Sequence, residues 1–224
     1  MASWLFSRPA LRRHSVRRDV YMEEAKRKVS PASRTRSIAF VGLSMALLAV
    51  SAWISIPVGP VPFTLQTFVV VFAFLVLTPR ECVAALTGYL ALGAIGLPLF
   101  SSMRGGIGVL AGPTGGFLWG FLLGAAAAIV LRFALSSAAQ RREARNAGSG
   151  AGSSKRAMAV DLAAGLLFLA VTYLCGWAQL MAVAGMGPEA AFLTAVGPFI
   201  PIDAVKLVAA VLCARAVGSA LPRR

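Results

Sequence analysis

Three ionisable side chains, Arg104, Asp203 and Lys206, stand where the surrounding sequence is otherwise almost free of charge. Asp203 and Lys206 are three residues apart, so on a helix they share one face. Pro201 suits the first turn of such a helix, which places Asp203 near its positive end, where a carboxylate is stabilised. The three charges sum to +1. That set suits a small monoanion which also offers hydrogen-bond donors to a carboxylate. Covalent or metal chemistry has little to work with. His14, the only histidine, lies in a basic tail, and Cys82, Cys175 and Cys213 are isolated in apolar stretches, without metal-ligand spacing. No histidine–carboxylate pair supports a nucleophile, so an enzyme is not expected and no cofactor is implied.

The elements that must hold these groups are membrane helices. The chain is 58% hydrophobic and only 13% charged, against about 25% charged in soluble domains. Residues 37–79, 82–103, 105–131 and 162–188 contain no Asp, Glu, Lys or Arg. A helix needs roughly 20 apolar residues to cross the hydrocarbon layer. An all-α, polytopic membrane protein with six transmembrane helices is therefore predicted, with spans near 37–56, 61–78, 82–100, 117–135, 158–184 and 201–218. Prolines at 57–62 and the Pro79-Arg80-Glu81 corner separate the first three spans. A glycine-rich loop over 101–116 follows the third.

Two further regions complete the organisation: a basic tail over 1–36, expected to be disordered, and a polar linker over 137–157 between the fourth and fifth spans of the 37–219 membrane domain. Met22 offers a second plausible start, and no apolar stretch follows the first arginines closely enough to form a secretory signal. The net charge of +14 sits in the tail and loops, so it reads as a topology signal and a contact for lipid head groups, not as a nucleic-acid footprint. With the N-terminus inside, twenty of the 22 Lys and Arg residues fall on the cytoplasmic side and one, Arg104, falls outside; Lys206 lies in the membrane. Both termini are expected in the cytoplasm. Arg104, Asp203 and Lys206 then face one region open to the exterior.

An intramembrane charge costs about 2.5–3.5 kcal/mol on insertion scales and is a functional candidate by default. The plainer alternative is a structural Asp203–Lys206 pair, with Arg104 snorkelling to lipid phosphate. Asp161 and Glu189 read as span-edge residues. Gly105, Gly106 and the glycines that follow lack the Gly-Lys-Ser/Thr ending of a phosphate-binding loop; they suit a re-entrant loop at a pocket or plain helix packing. Of the few polar residues in the spans (Thr64, Gln66, Thr67, Thr87, Tyr89, Thr172, Tyr173 and Gln179), Gln66 either lines a pocket or bonds another helix. Tyr89 either walls the pocket or packs with its hydroxyl satisfied. Gly42, Ala46 and Ala49 form a smooth face of the first span that permits close helix approach.

Four ordered motifs carry a resemblance. Pro60-Val-Pro-Phe-Thr-Leu-Gln-Thr67, Tyr89-Leu-Ala-Leu-Gly-Ala-Ile-Gly-Leu-Pro98, Arg104-Gly-Gly-Ile-Gly-Val-Leu-Ala-Gly-Pro-Thr-Gly-Gly116 and Pro198-Phe-Ile-Pro-Ile-Asp-Ala-Val-Lys206 closely resemble the BioY family, biotin-specific S components of energy-coupling factor (ECF) transporters. Ile202 stands where that family often has glycine, and the tail and linker are longer than usual. The resemblance implies a six-helix S-component fold that binds biotin from outside. It also implies uptake across a bacterial cytoplasmic membrane with a separate transmembrane scaffold subunit and ATPase subunits. By the same analogy Gly42, Ala46 and Ala49 are candidates for the scaffold contact, and Arg104, Asp203, Lys206, Tyr89, Gly105, Gly106 and Gln66 for the substrate site. Asp203 is then expected to accept from a ureido N–H, Lys206 to donate to a ligand oxygen, and Arg104 to pair with the carboxylate. The alternatives are an S component for another small anionic vitamin, or a membrane scaffold with no ligand.

Overall fold

The computed structural model describes residues 31–57, 61–145 and 153–220. Contacts divide the chain into Met1–Ala39 and Phe40–Arg224, and the site lies wholly in the second unit. Most of the expected tail falls outside the described residues, but residues 31–36 already belong to the first helix, α1, Pro31–Trp53. Next comes a two-stranded antiparallel hairpin, β1 Ser55–Ile56 with β2 Phe63–Thr64, in which Ser55 pairs with Thr64. The second span, expected over 61–78, is therefore helical only over α2, Gln66–Val76. Pro62 lacks a donor and Val61 before it is biased to extended backbone, so this stretch turns rather than coils. At 1.5 Å per residue α2 is about 16 Å long.

Helix α3 runs Pro79–Ala94 and starts earlier than expected. Pro79 suits its first position, and Thr78 and Glu81 close a capping box across it: Glu81 N donates to Thr78 Oγ1 at 3.4 Å, and Thr78 N donates to Glu81 Oε2 at 3.0 Å. The expected end at 100 is cut back to 94 because Gly96 takes a φ of 111° and Pro98 follows it. The glycine-rich stretch contains a 3-10 turn, Ser101–Met103, and a one-turn helix α4, Ile107–Ala111.

Helices α5, Gly115–Arg145, and α6, Ser153–Ala184, are the two longest. Both extend into the linker expected over 137–157, because Ala, Gln, Arg and Glu are good helix formers even where they are polar. A short α7, Pro188–Ala195, leads to α8, Phe199–Ala220. These two are bent by 44° at Gly197-Pro198, where proline removes a donor and crowds the preceding turn. The six main helices, α1, α2, α3, α5, α6 and α8, thus follow the six expected spans in order. By length and hydropathy alone, parts of α1, α5 and α6 can each cross a membrane, and α7 with α8 makes a fourth, bent crossing.

The closest helix pair is α5 with α6. Gly116, Gly120 and Gly124 recur every fourth residue along α5. A Cβ at Gly120 would lie 2.7 Å from Thr172 Cα, and one at Gly116 would lie 2.2 Å from the Cys175 carbonyl oxygen. The absent side chains allow backbone-to-backbone contact, which drives helix association where lipid removes the hydrophobic difference. Thr172 Oγ1 also donates to the Gly120 carbonyl at 3.2 Å.

At the end of the bundle away from the hairpin, Asp161 is buried between two arginines. Arg132 Nε donates to Asp161 Oδ1 at 2.9 Å, and Arg215 Nη1 donates to Oδ2 at 3.2 Å. Arg132 Nη1 also reaches the carbonyls of Phe74 and Leu75 at 3.4 and 3.3 Å. The span-edge acid thus ties α5, α6 and α8 to the final turn of α2, whose carbonyls lack helix partners.

Two outcomes follow for purified protein in detergent. Gly120→Ala is expected to lower the unfolding free energy by about 1–3 kcal/mol, the cost of overpacking a tight contact. Asp161→Ala is expected to lower it by about 1.5–3 kcal/mol through lost charged hydrogen bonds. Thermal unfolding measures both.

Candidate functional site

At the hairpin end, a cavity partly open to solvent is lined by residues from the hairpin, α2, the 101–104 turn, α4, α5, α6 and α8. Its polar end is organised by Asp203, which is only 2% exposed. Because α8 begins at Phe199, Asp203 sits about half a turn deeper than the expected start at Pro201 implies. Side chains from neighbouring helices therefore satisfy it, rather than the helix end.

Four contacts build this hub. Thr67 Oγ1 of α2 donates to Asp203 Oδ1 at 2.9 Å, and the Tyr173 hydroxyl of α6 donates to Oδ2 at 2.7 Å. Lys206 Nζ donates to Oδ1 at 2.8 Å and to the Thr64 carbonyl of the hairpin at 2.7 Å. Asp203 and Lys206 share a helix face as their spacing requires, and both line the cavity. The pair is charged and hydrogen-bonded, which is the condition for keeping such groups out of water. Each hydroxyl that donates to Asp203 keeps an oxygen able to accept, and Lys206 keeps a third N–H.

Beside the hub, Gln66 lines the cavity and is itself buried. Its Nε2 donates to the Tyr89 hydroxyl at 2.7 Å, and that hydroxyl donates to the Leu99 carbonyl at 2.9 Å. Gln66 accordingly fills both roles open to it. Tyr89 does not line the cavity. It is 1% exposed and stands behind Gln66, so its place is in packing and support. The walls are apolar, with Phe117, Phe121 and Phe199 among the lining side chains; Phe199 stacks on Phe63 with ring centroids 4.1 Å apart.

Arg104 lines the cavity from the turn after α3, and its Nε donates to the Ser101 carbonyl at 3.3 Å. The structure therefore gathers Arg104, Asp203, Lys206 and Gln66 at one cavity. Gly105 and Gly106, expected with them, are not lining residues; their role is in the backbone. A Cβ at Gly105 would lie 2.3 Å from the Leu97 carbonyl oxygen. Gly106 has a φ of 97°, and its N–H donates to the Gly93 carbonyl at 2.7 Å. The small-residue face of α1 also divides. Gly42 and Ala46 are exposed, whereas Ala49 is buried in the core. Among the described residues no three His, Cys, Asp or Glu side chains converge to hold a metal ion.

Residues 22–223 match the BioY family model. The chain belongs to the BioY family. Its relatives include a Thermotoga maritima protein named biotin transporter BioY, 38% identical over 179 residues that cover 80% of this chain and 94% of the relative. A Pyrococcus horikoshii protein named probable biotin transporter BioY is 36% identical over 181 residues, covering 81% and 95%. The fold is similar to the crystal structure of the S-component for biotin from an ECF-type ABC transporter, with a TM-score of 0.67 and 20% identity over 85% of this chain and 95% of that one.

Within this BioY-family fold, Thr67 and Tyr173 complete the hub, although spacing alone did not single them out. Their signal is that polar side chains are scarce in the spans, and a buried acid needs such donors. One outcome tests the Asp203–Lys206 pair at the centre of the hub. Lys206→Met leaves Asp203 buried without its cation and is expected to cost about 3–5 kcal/mol of stability. Adding Asp203→Asn to Lys206→Met is expected to restore part of that loss, as read by unfolding in detergent.

Proposed function

We propose that this chain binds biotin in the hairpin-end cavity and serves as the substrate-specific S component of an ECF-type uptake transporter. The observation that carries the reading is the hub at Asp203. It presents acceptors and a lysine donor side by side at one end of an aromatic-walled cavity, with Arg104 on another wall. Biotin offers matching groups: two ureido N–H donors, a ureido carbonyl, an apolar fused ring and a carboxylate tail. The ureido ring sits at the hub, where hydroxyl and carboxylate oxygens accept and Lys206 donates. The fused ring packs on Phe117, Phe121 and Phe199, and the carboxylate faces Arg104. The cavity charges sum to +1, which suits a monoanion. The relatives' name as biotin transporters supports the same ligand.

The excess of cytoplasmic Lys and Arg supports a multi-pass orientation in the bacterial cytoplasmic membrane, with both termini inside and the cavity open outward. A separate transmembrane scaffold subunit and ATPase subunits then energise uptake, a reading supported by the likeness to the S-component of an ECF-type ABC transporter. The exposed face at Gly42 and Ala46, where a Cβ on Gly42 would meet nothing within 4 Å, supports helix contact with the scaffold. Binding and reorientation in the bilayer, not bond chemistry, are the work assigned to this chain.

Titration of the detergent-purified full chain with labelled biotin is expected to show saturable binding, displaced by biotin and desthiobiotin but not by unrelated anionic vitamins. Asp203→Asn is expected to weaken that binding tenfold or more, since hydrogen bonds to charged groups contribute about 1.5–3 kcal/mol each. Displacement by an unrelated vitamin, or no binding at all, overturns the reading.

A further inference from the structure

Among the buried side-chain polar atoms of the described residues, the hydroxyl oxygen of Ser101 is the one with no hydrogen-bond partner. Ser101 also lines the cavity. A serine hydroxyl readily bonds a nearby backbone carbonyl, and a buried one left unmade carries a desolvation cost. The arrangement around it explains why this hydroxyl is held in place. Phe100 before it is 1% exposed. Its ring fills the space beside Gly93, where a Cβ would come within 2.1 Å, and meets Tyr89 edge-on at 5.5 Å.

The chain then turns back on itself. Phe100 N donates to the Arg104 carbonyl at 2.9 Å, and Arg104 N and Nε donate to the Ser101 carbonyl at 3.4 and 3.3 Å. Closing this turn puts Ser102 and Met103 in the left-handed region, with φ of 58° and 55°. Two successive non-glycine residues there are uncommon, and strain of this kind gathers at ligand sites. Its consequence is visible: Ser101 and Arg104, at the two ends of the turn, both line the cavity. Arg104 engages the turn through Nε, which leaves its Nη groups for the cavity.

We infer that Ser101 is a specificity-determining residue, its hydroxyl donating a hydrogen bond to the ligand's carboxylate beside the Arg104 guanidinium. This rests on the biotin reading and assigns the turn as the carboxylate end of the site. A fork of guanidinium and hydroxyl suits a carboxylate, whose two oxygens each accept.

The test compares wild type, Ser101→Ala and Ser101→Thr, each as purified full chain. The ligands are biotin and an analogue whose side chain ends in methyl instead of carboxylate. Ser101→Ala is expected to bind biotin about tenfold more weakly, the scale of one charge-assisted hydrogen bond. It is expected to bind the methyl-ended analogue as wild type does, while its ligand-free unfolding temperature stays equal to or above wild type. Ser101→Thr, which keeps the hydroxyl, is expected to bind biotin close to wild type. Equal biotin binding by Ser101→Ala and wild type overturns the assignment and leaves the biotin reading standing. An equal loss for both ligands also overturns it, placing the effect away from the carboxylate. Failure of wild type to bind biotin removes the biotin reading itself and the assignment with it.

Discussion

A carboxylate taken out of water must be matched by donors, and Asp203 is matched on every side by a different part of the chain. Thr67 approaches from α2 and Tyr173 from α6. Lys206 comes from α8 itself and reaches on to the hairpin carbonyl of Thr64. Because an isolated charge in an apolar medium is so costly, these elements have to meet where Asp203 is. The hairpin end of the bundle is thereby fixed, and with it the polar end of the cavity. The group that a ligand would use also holds the walls of its site together.

The opposite end is built on the same rule. There one acid, Asp161, answers two arginines on different helices, and Arg132 also caps the last carbonyls of α2. On α8, Asp203 and Arg215 are twelve residues apart, about 18 Å at 1.5 Å per residue. Between these polar ends the contacts are apolar, and the close α5–α6 pair supplies the stiff spine. Glycines at 116, 120 and 124 let that pair meet backbone to backbone, so Phe117 and Phe121 on α5 and Thr172 and Tyr173 on α6 reach one cavity. The shape of the cavity depends in this way on glycines that do not line it.

Much of this was legible in the sequence. Charge-free runs, divided at their prolines, located five of the six main helices, and the isolation of Arg104, Asp203 and Lys206 marked them as a set. Other features were hidden for physical reasons. Pro62 and the hairpin shortened α2, which an apolar count over 61–78 does not register. Ala, Gln and Arg carried α5 into a stretch that looked like a loop because it is polar. Asp161 resembled a boundary residue because its partners Arg132 and Arg215 are distant in sequence. The glycine spacing along α5 is present in the chain, but only its packing against α6 sets these glycines apart from those of the preceding loop. Gly105 and Gly106 shape the backbone beside the cavity without lining it. Tyr89 stands one layer back, and Ala49 faces the core rather than the outer face of α1. Side-chain direction of this kind is fixed by tertiary packing, and residue type alone does not convey it.

The account stands on Asp203, Thr67, Tyr173 and Lys206 acting as one unit in ligand binding. The most direct measurement is a double-mutant cycle of Asp203→Asn and Tyr173→Phe, read by biotin dissociation constants of the purified chain. If the hub is a unit, the double variant loses about as much affinity as the weaker-binding single variant. Losses that simply add would show two independent contacts and contradict the account.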